Sequence, residues 1–449
     1  MQHTPEKFKN IITASQIFYL LFICSIFFQI RHVFIGKNSF VTGAYSDFTS
    51  ISIYLSDIFL VISAFLTFFS RGKRKFHVVG NSEYFIFGLF VWIFIEFLLK
   101  LNNLTTLNLW FLFKFIELLV AYETTKIFLT QISYKWLIYK VFLCFTTLES
   151  ILAIIQFKIQ HSLGLELIKE PIFASNMPGI AKIVVNGEKL VRAYGTFPHP
   201  NLLAAFLTIG VIITTGFLFS EISKKQRFLA STILFINIVG LATTFSRSAF
   251  LATFCGLFLI YISILIKKYW SKLITKTLIT TLLITLLTFL IFKPFLLTRA
   301  TITDQATVQR ELYNKIGLNI IKNYLVFGVG LGESVIHMQQ FSPINLQTWQ
   351  IQPIHNYFLL IAAEIGIPGA LIMLWVFISA IFILSKKLIQ ETLLDIETLT
   401  ILGITIAILI LMQFDHYFYT LQQTQILLCV ILAIITNKIK ISNEYSQKI

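Results

Sequence analysis

Apolar runs of about 20 residues recur along nearly the whole chain, each long enough to cross about 30 Å of hydrocarbon as a helix. The runs are continuously apolar rather than alternating, which predicts helices and not the strands of a membrane barrel. About twelve spans follow from this pattern, near 11–30, 48–69, 82–99, 107–130, 134–157, 200–220, 227–246, 248–266, 273–292, 355–385, 397–413 and 418–436. One triplet, Ser246-Arg247-Ser248, must make the whole turn between two of them. Two connections are long, 158–199 and 293–354. In the second, Thr303-Asp304 reads as an N-cap before a helix reaching about Asn323. Val308, Leu312, Ile316 and Ile320 recur there at a spacing of four, so that helix is expected to be amphipathic and to lie on the outer surface. The fold class is an all-α polytopic membrane protein, with residues 1–449 forming a single membrane-embedded domain.

Composition agrees with this. Hydrophobic residues make up 56% and charged residues 13% of the 449, where soluble domains carry about 25% charged residues. The mean hydropathy is +0.80. The placement of the charges then orients the spans. Arg71-Gly-Lys-Arg-Lys75, Lys224-Lys225-Gln-Arg227, Lys267-Lys268, Lys386-Lys387 and the C-terminal Lys438, Lys440 and Lys448 all fall on one side. By the positive-inside rule that side is cytoplasmic, with both termini on it and 158–199 and 293–354 outside. The net charge of +15 is thus a topology signal and an attraction to membrane lipids. No basic stripe or aromatic platform sits on a soluble module, so nucleic acid is not an expected partner. Cys24, Cys144, Cys255 and Cys429 lie within apolar spans without metal-type spacing. The first apolar run lacks a small-residue cleavage site and reads as a span rather than a signal peptide.

Polar clusters gather at the outer span ends. Arg192-Ala-Tyr-Gly-Thr-Phe-Pro-His-Pro-Asn201 opens an apolar span, and Arg247 and Arg310 add two more outer cations. Guanidinium forks match phosphate, so three converging arginines would suit a pyrophosphate; alternatively they snorkel to lipid headgroups. His199 and His355 each begin a span, either as proton acceptors or as helix-start residues bonded to the backbone. Pro353 fixes the chain just before His355-Asn356. Glu364 would face away from His355 on a regular helix and pair within the bundle near Gly366-Ile-Pro-Gly369. Asp415-His416-Tyr417 could line the same cavity or form a turn. No outer Asp-x-Asp offers a metal-ligand pair, and no metal or cofactor is expected. Asp395-Ile-Glu397 has that spacing but reads as a solvated cytoplasmic connection. Gly328-Val-Gly-Leu-Gly332 lacks the lysine and strand–turn–helix frame of a nucleotide loop.

Arg192-x-x-Gly-Thr-Phe-x-His-Pro-Asn201, Thr244-Phe-Ser-Arg-Ser248, Gln309-Arg310, Leu325-Val-Phe-Gly-Val-Gly-Leu-Gly332 and His355-Asn356 with Glu364-Ile-Gly366 occur in this order. Together, over about 190–370, they resemble the O-antigen ligase and polymerase family. The resemblance implies a GT-C-like, metal-independent, inverting glycosyltransferase in the cytoplasmic membrane. Its donor would be a glycan on undecaprenyl pyrophosphate and its acceptor a glycan, lipid or protein. By analogy Arg192, Arg247 and Arg310 hold the pyrophosphate and His355 acts on the acceptor hydroxyl. His199, Asn201, Asn356, Glu364 and Asp415 are candidates for substrate binding. A transporter of lipid-linked saccharide is the competing class, but its polar residues are expected near the midplane rather than at span ends on one side.

Overall fold

The computed structural model describes residues 6–70, 84–130, 132–268, 271–301, 305–391 and 394–446. Helix α1 (Glu6–Ser25) leads into four short strands, β1 (Arg31–Phe34), β2 (Phe40–Val41), β3 (Ala44–Tyr45) and β4 (Ile51–Tyr54). They pair antiparallel, β2 with β3 nested inside β1 with β4. Helices α2 (Leu55–Ser70), α3 (Tyr84–Leu99), α4 (Thr106–Leu129) and α5 (Ile132–Ile159) precede the hairpin β5 (Lys182–Val185) and β6 (Glu188–Val191). Then come α6 (Pro200–Phe219), α7 (Lys224–Thr243), α8 (Arg247–Ile266), α9 (Lys272–Thr301) and α10 (Gln305–Asn323). The chain ends with α11 (Ser334–Phe341), α12 (Tyr357–Gln390), α13 (Ile396–Phe414), the single turn α14 (Tyr417–Thr420) and α15 (Gln422–Ser446).

Among the described residues eight helices are long and apolar enough to cross a membrane: α5 to α9, α12, α13 and α15. The expected twelve is therefore not reached on length and composition. The apolar parts of α1, α2 and α3 are shorter, and α4 carries Lys114, Glu117, Glu123 and Lys126 within its 24 residues. The span expected at 48–69 loses its first residues to β4, whose ladder with β1 uses the backbone groups a helix would need. In the other direction, α9 runs on through Pro294 to Thr301, past the expected end at 292.

The bundle has two chemically different ends. At one, Lys135, Lys387 and Lys438 reach Asp395 or Glu397, and Lys267 donates to the Glu391 carbonyl. Asp395 also caps α13 by accepting from the Thr398 amide. The expected solvated connection at Asp395-Ile-Glu397 is thus an ion-paired clasp, because four helix ends deliver lysines to it. The run Arg71–Lys75 and Lys448 lie outside the described residues. The opposite end gathers the starts of α6, α8 and α12 and the end of α13.

Helix α6 is the hub: 94% of its apolar window is buried, packed by α5, α7, α8 and α13. Helices α8 and α13 cross closely at Gly256 and Gly403, where a Cβ on Gly256 would lie 2.8 Å from the Gly403 carbonyl oxygen. Small residues permit such approach where burial of apolar surface alone gives helices little reason to associate.

Helix α12 breaks at Ile365–Gly366, where Gly366 takes φ 79°. The break strands backbone groups, and the 325–332 loop satisfies them. Val329 and Gly330 amides donate to the Ala363 and Glu364 carbonyls at 2.9 and 3.0 Å. The Ile367 amide donates to the Leu325 carbonyl at 2.9 Å, and Trp92 Nε1 to the Ile365 carbonyl at 2.8 Å. Helix α10 is amphipathic as expected, but it does not simply rest on the outer surface. Tyr313, Ile316 and Ile320 pack into a cluster with Met338, Ile354, Leu360 and Ala363, leaving Val308 exposed. Its expected N-cap at Thr303-Asp304 lies outside the described residues.

Gly366→Ala should destabilise the protein by roughly 3 kcal/mol, from left-handed strain plus a clash. The added Cβ would fall 1.8 Å from the Val326 carbonyl oxygen. Thermal unfolding of the detergent-purified variant measures this; an unchanged Tm would mean that the close approach is dispensable.

Candidate active site

The loop Arg192–Asn201 is held from below by polar residues of α5. The Glu149 carboxylate accepts from the Thr196 amide and hydroxyl at 2.9 and 2.7 Å. Gln156 accepts from the Tyr194 and Gly195 amides and donates to the Gly195 carbonyl. These buried partners explain how so polar a segment opens a buried helix: each group is bonded within the protein. Arg192 is buried too. Its Nε donates to the Thr244 carbonyl at 2.6 Å and one Nη to Asn201 Oδ1 at 2.6 Å, which joins the start of α6 to the α7–α8 turn.

From Asn201 the network continues to Asp415, 214 residues away. Asn201 Nδ2 donates to Asp415 Oδ2 at 2.9 Å, and Asp415 Oδ1 accepts from the His416 amide. His355 and His416 meet edge to face, with ring centroids 4.7 Å apart. His355 Nδ1 lies 2.9 Å from the Pro353 carbonyl oxygen. A carbonyl only accepts, so Nδ1 carries the proton and Nε2 of the neutral ring keeps a lone pair. His199 has the opposite tautomer: its Nδ1 accepts from the Asn201 amide at 3.1 Å, which leaves the proton on Nε2. Tyr313 of α10 stacks on His355, centroids 4.8 Å apart and planes 13° from parallel.

The electrostatics follow from burial and this company. Burial first would raise the Asp415 carboxyl, but His416, His355, Arg310 and His199 together hold it well below the usual carboxylate range. Burial lowers all three imidazoles. His416 is pushed down to about 3, with His355 repelling its charge and Asp415 opposing the shift. For His355, Asp415 raises and Arg310 lowers the already depressed value. His199 is depressed by its crowded surroundings, then by Arg192. The residue is nonetheless exposed, so water tempers its shift. At neutral pH the cluster thus holds neutral imidazoles, one carboxylate and the Arg310 cation.

Of the expected arginines, Arg310 stands closest to the cluster electrostatically, acting on His199, His355, Asp415 and His416. Arg192 acts on His199. Arg247 reaches α10 instead, its Nη 3.2 Å from Thr307 Oγ1, one turn before Arg310. Asn356 is the N-cap of α12, accepting from the Phe358 and Leu359 amides and donating to Gln413. Its oxygen therefore serves the helix start, while its amide nitrogen ties that start to the end of α13. Glu364 turns from His355, as expected for its face, and accepts from the Gly332 amide, the Ser334 hydroxyl and the Tyr419 hydroxyl, each at 2.6 Å. Three donors fix it to the glycine loop, so it supports the site rather than lining it.

Reading the chain in one dimension missed Tyr313 and the proximity of His416 to His355. The first was findable, since Tyr313 follows Arg310 by one helical turn; the second joins residues 61 apart in number. Also unforeseen is a possible metal-ligand set: one ligand atom from each of His355, Asp415 and His416 lie within 4.8 Å of one another. The donor types suit a divalent cation. Two facts oppose one: Asp415 is already committed to Asn201 and the His416 amide, and Arg310 stands beside the cluster. An apolar cavity of about 120 Å³ lies elsewhere, between α3, α4, α12 and α15, lined by Ile93, Phe115, Ile361 and Leu432. Its lining includes the Lys114 ammonium group, which is already ion-paired with Asp57 and Glu117.

The depressed imidazole gives a signed expectation. Above about pH 6.5 the neutral His416 costs nothing extra; below it the unfolded chain takes a proton that the folded one refuses. Stability should therefore fall as pH drops from about 6.5 towards 3, on the order of 2 kcal/mol by pH 5 from this residue. Tm measured across that range should show the loss, and His416→Asn should flatten it; an equal slope in the variant would rule out this origin.

Residues 232–374 match the family model described as O-Antigen ligase. No curated protein matches the chain. The matched segment holds Arg247, Arg310, His355, Asn356 and Glu364, while Arg192, His199, Asn201 and Asp415 lie outside it and are joined to it by the network above. Residues 232–374 of this multi-pass membrane protein are thus similar to the O-antigen ligase family.

Proposed function

We propose that the protein transfers a glycan from undecaprenyl pyrophosphate to an acceptor hydroxyl at the outer face of the cytoplasmic membrane, as a GT-C-like glycosyltransferase. The observation that carries this reading is the state of His355. Its Nδ1 proton is spent on the Pro353 carbonyl, leaving Nε2 free to accept, beside the Arg310 cation. The acceptor oxygen attacks the anomeric carbon while the bond from that carbon to the pyrophosphate oxygen breaks. The acceptor proton passes to His355 Nε2, and the electron pair leaves with the pyrophosphate. A single direct displacement inverts the anomeric centre.

Charge builds on the leaving group, so the matching aid is fixed positive charge rather than a nucleophile. Arg310 on α10 and Arg247, which reaches α10 from the start of α8, take that role, with Arg192 holding Asn201 and the α6 start in place. Asp415 stabilises the imidazolium that forms on His355. His199, with Nε2–H outward, offers a donor to a sugar or phosphate oxygen. The lysines at the other end of the bundle support termini on the cytoplasmic side. A transporter would be expected to put its polar groups near mid-bundle; here they crowd one end.

His355→Ala and Arg310→Ala should each abolish transfer, by about 10² or more, with normal expression and insertion. Lys224→Ala should leave transfer intact. Glycan transfer assayed in membranes decides, and activity retained in both site variants would remove the assignment. Single repeat units accumulating on the carrier in His355→Ala cells indicate a polymerase; long carrier-linked chains indicate a ligase. Transfer should also survive a chelator, since arginines carry the leaving charge; loss restored by a divalent cation would reassign His355, Asp415 and His416 as metal ligands.

A further inference from the structure

Tyr313 is 1% exposed, and its hydroxyl has no hydrogen-bond partner among the described residues. Burying an unpaired hydroxyl costs free energy that a folded protein seldom leaves uncompensated. The ring is well fixed. It lies nearly parallel on the His355 imidazole, and α10 is clamped by Ile316 and Ile320 against Ile354 and Leu360. One turn earlier on the same helix, Arg310 Nε is likewise buried and unpartnered. Two unpaired donors, i and i+3 on one face, therefore stand beside the His355 ring. A phosphate group accepts from both at once, whereas a hydrocarbon surface would satisfy neither.

We infer that Tyr313 is a positioning residue of the transfer reaction. Its ring holds the His355 imidazole with Nε2 towards the acceptor, and its hydroxyl donates, with Arg310 Nε, to a phosphate oxygen of the lipid-linked donor. The inference rests on the function proposed above. It adds a coupling: the helix that binds the donor phosphate is the helix that orients the base, so an empty site leaves the base less well held. The stacked ring also keeps water from one face of the imidazole, which disfavours its charged form.

The test uses the full-length protein in nanodiscs, bare undecaprenyl pyrophosphate as the binding probe, and lipid-linked glycan extracted from the source cells for turnover. Tyr313→Phe keeps the ring and loses the hydroxyl. It should bind the probe about tenfold more weakly and turn over more slowly, while the acid limb of its pH profile stays where it is because the stacked ring is kept. Tyr313→Leu loses the stack. Its kcat should drop at least about tenfold, and the acid limb of its pH profile should move to higher pH as water restores the imidazole towards its ordinary value near 6.5. Restoration of the wild-type limb by Tyr313→Trp would separate ring stacking from general damage. The inference is overturned if Tyr313→Phe binds the probe as wild type does, or if Tyr313→Leu keeps the wild-type acid limb. Should the leucine variant fail to fold, the phenylalanine variant decides alone. His355→Ala is the control: if it retains turnover the proposed function fails, whereas an inactive His355→Ala with wild-type Tyr313 variants fails this inference alone.

Discussion

The break in α12 is the constraint on which the site depends. A regular helix from Tyr357 to Gln390 would use its own carbonyls internally and leave the 325–332 loop nothing to bond. Because Gly366 adopts a left-handed conformation, the Ala363 and Glu364 carbonyls are freed and accept from Val329 and Gly330. That pairing fixes the loop, and Glu364 fixes its far end through Gly332 and Ser334. The loop in turn follows α10 directly, so the position of Arg310 and Tyr313 over His355 descends from a kink ten residues further along α12.

A second feature is the buried polar network that ties together helices distant in sequence. Lys114 lies 2.7 Å from Asp57 and 2.8 Å from Glu117, and Gln422 donates to both carboxylates. This cluster anchors the start of α15, and hence the short stretch from Asp415 to Gln422 that supplies the site's carboxylate. Breaking a buried pair by removing one partner costs more than the pair itself contributes, because a charge is stranded. The same logic applies to Arg192, Asn201 and Asp415. The three join the loop before α6, the α7–α8 turn and the end of α13, so helices distant in sequence are held in register by polar contacts where apolar packing is nearly featureless.

The two ends of the bundle use charge differently. At the lysine end, Asp395 and Glu397 are met by several ammonium groups and do no more than clasp helix ends together. At the site end a lone carboxylate sits among neutral imidazoles with an arginine beside it. The first arrangement neutralises charge; the second leaves uncharged imidazoles and a cation side by side.

The sequence by itself determined the class of the protein, most span positions and the motif residues, since continuous apolar runs and the side on which lysines fall are one-dimensional signals. It also placed α10 to within two residues and offered Arg310 and His355 as candidate site residues, with Asp415 as either a cavity residue or part of a turn. What it did not contain was proximity. Only the tertiary structure turned Asn356 into a helix cap and Glu364 into a loop anchor, because both assignments depend on which backbone groups the α12 start and break leave open. Only it set Tyr313 on His355 and His416 beside them. The shortened early spans have the same cause: β4 reads as apolar chain, and nothing local says that β1 will claim its hydrogen bonds. Hydropathy reports how much a residue prefers to leave water; which partner it meets there is decided by packing.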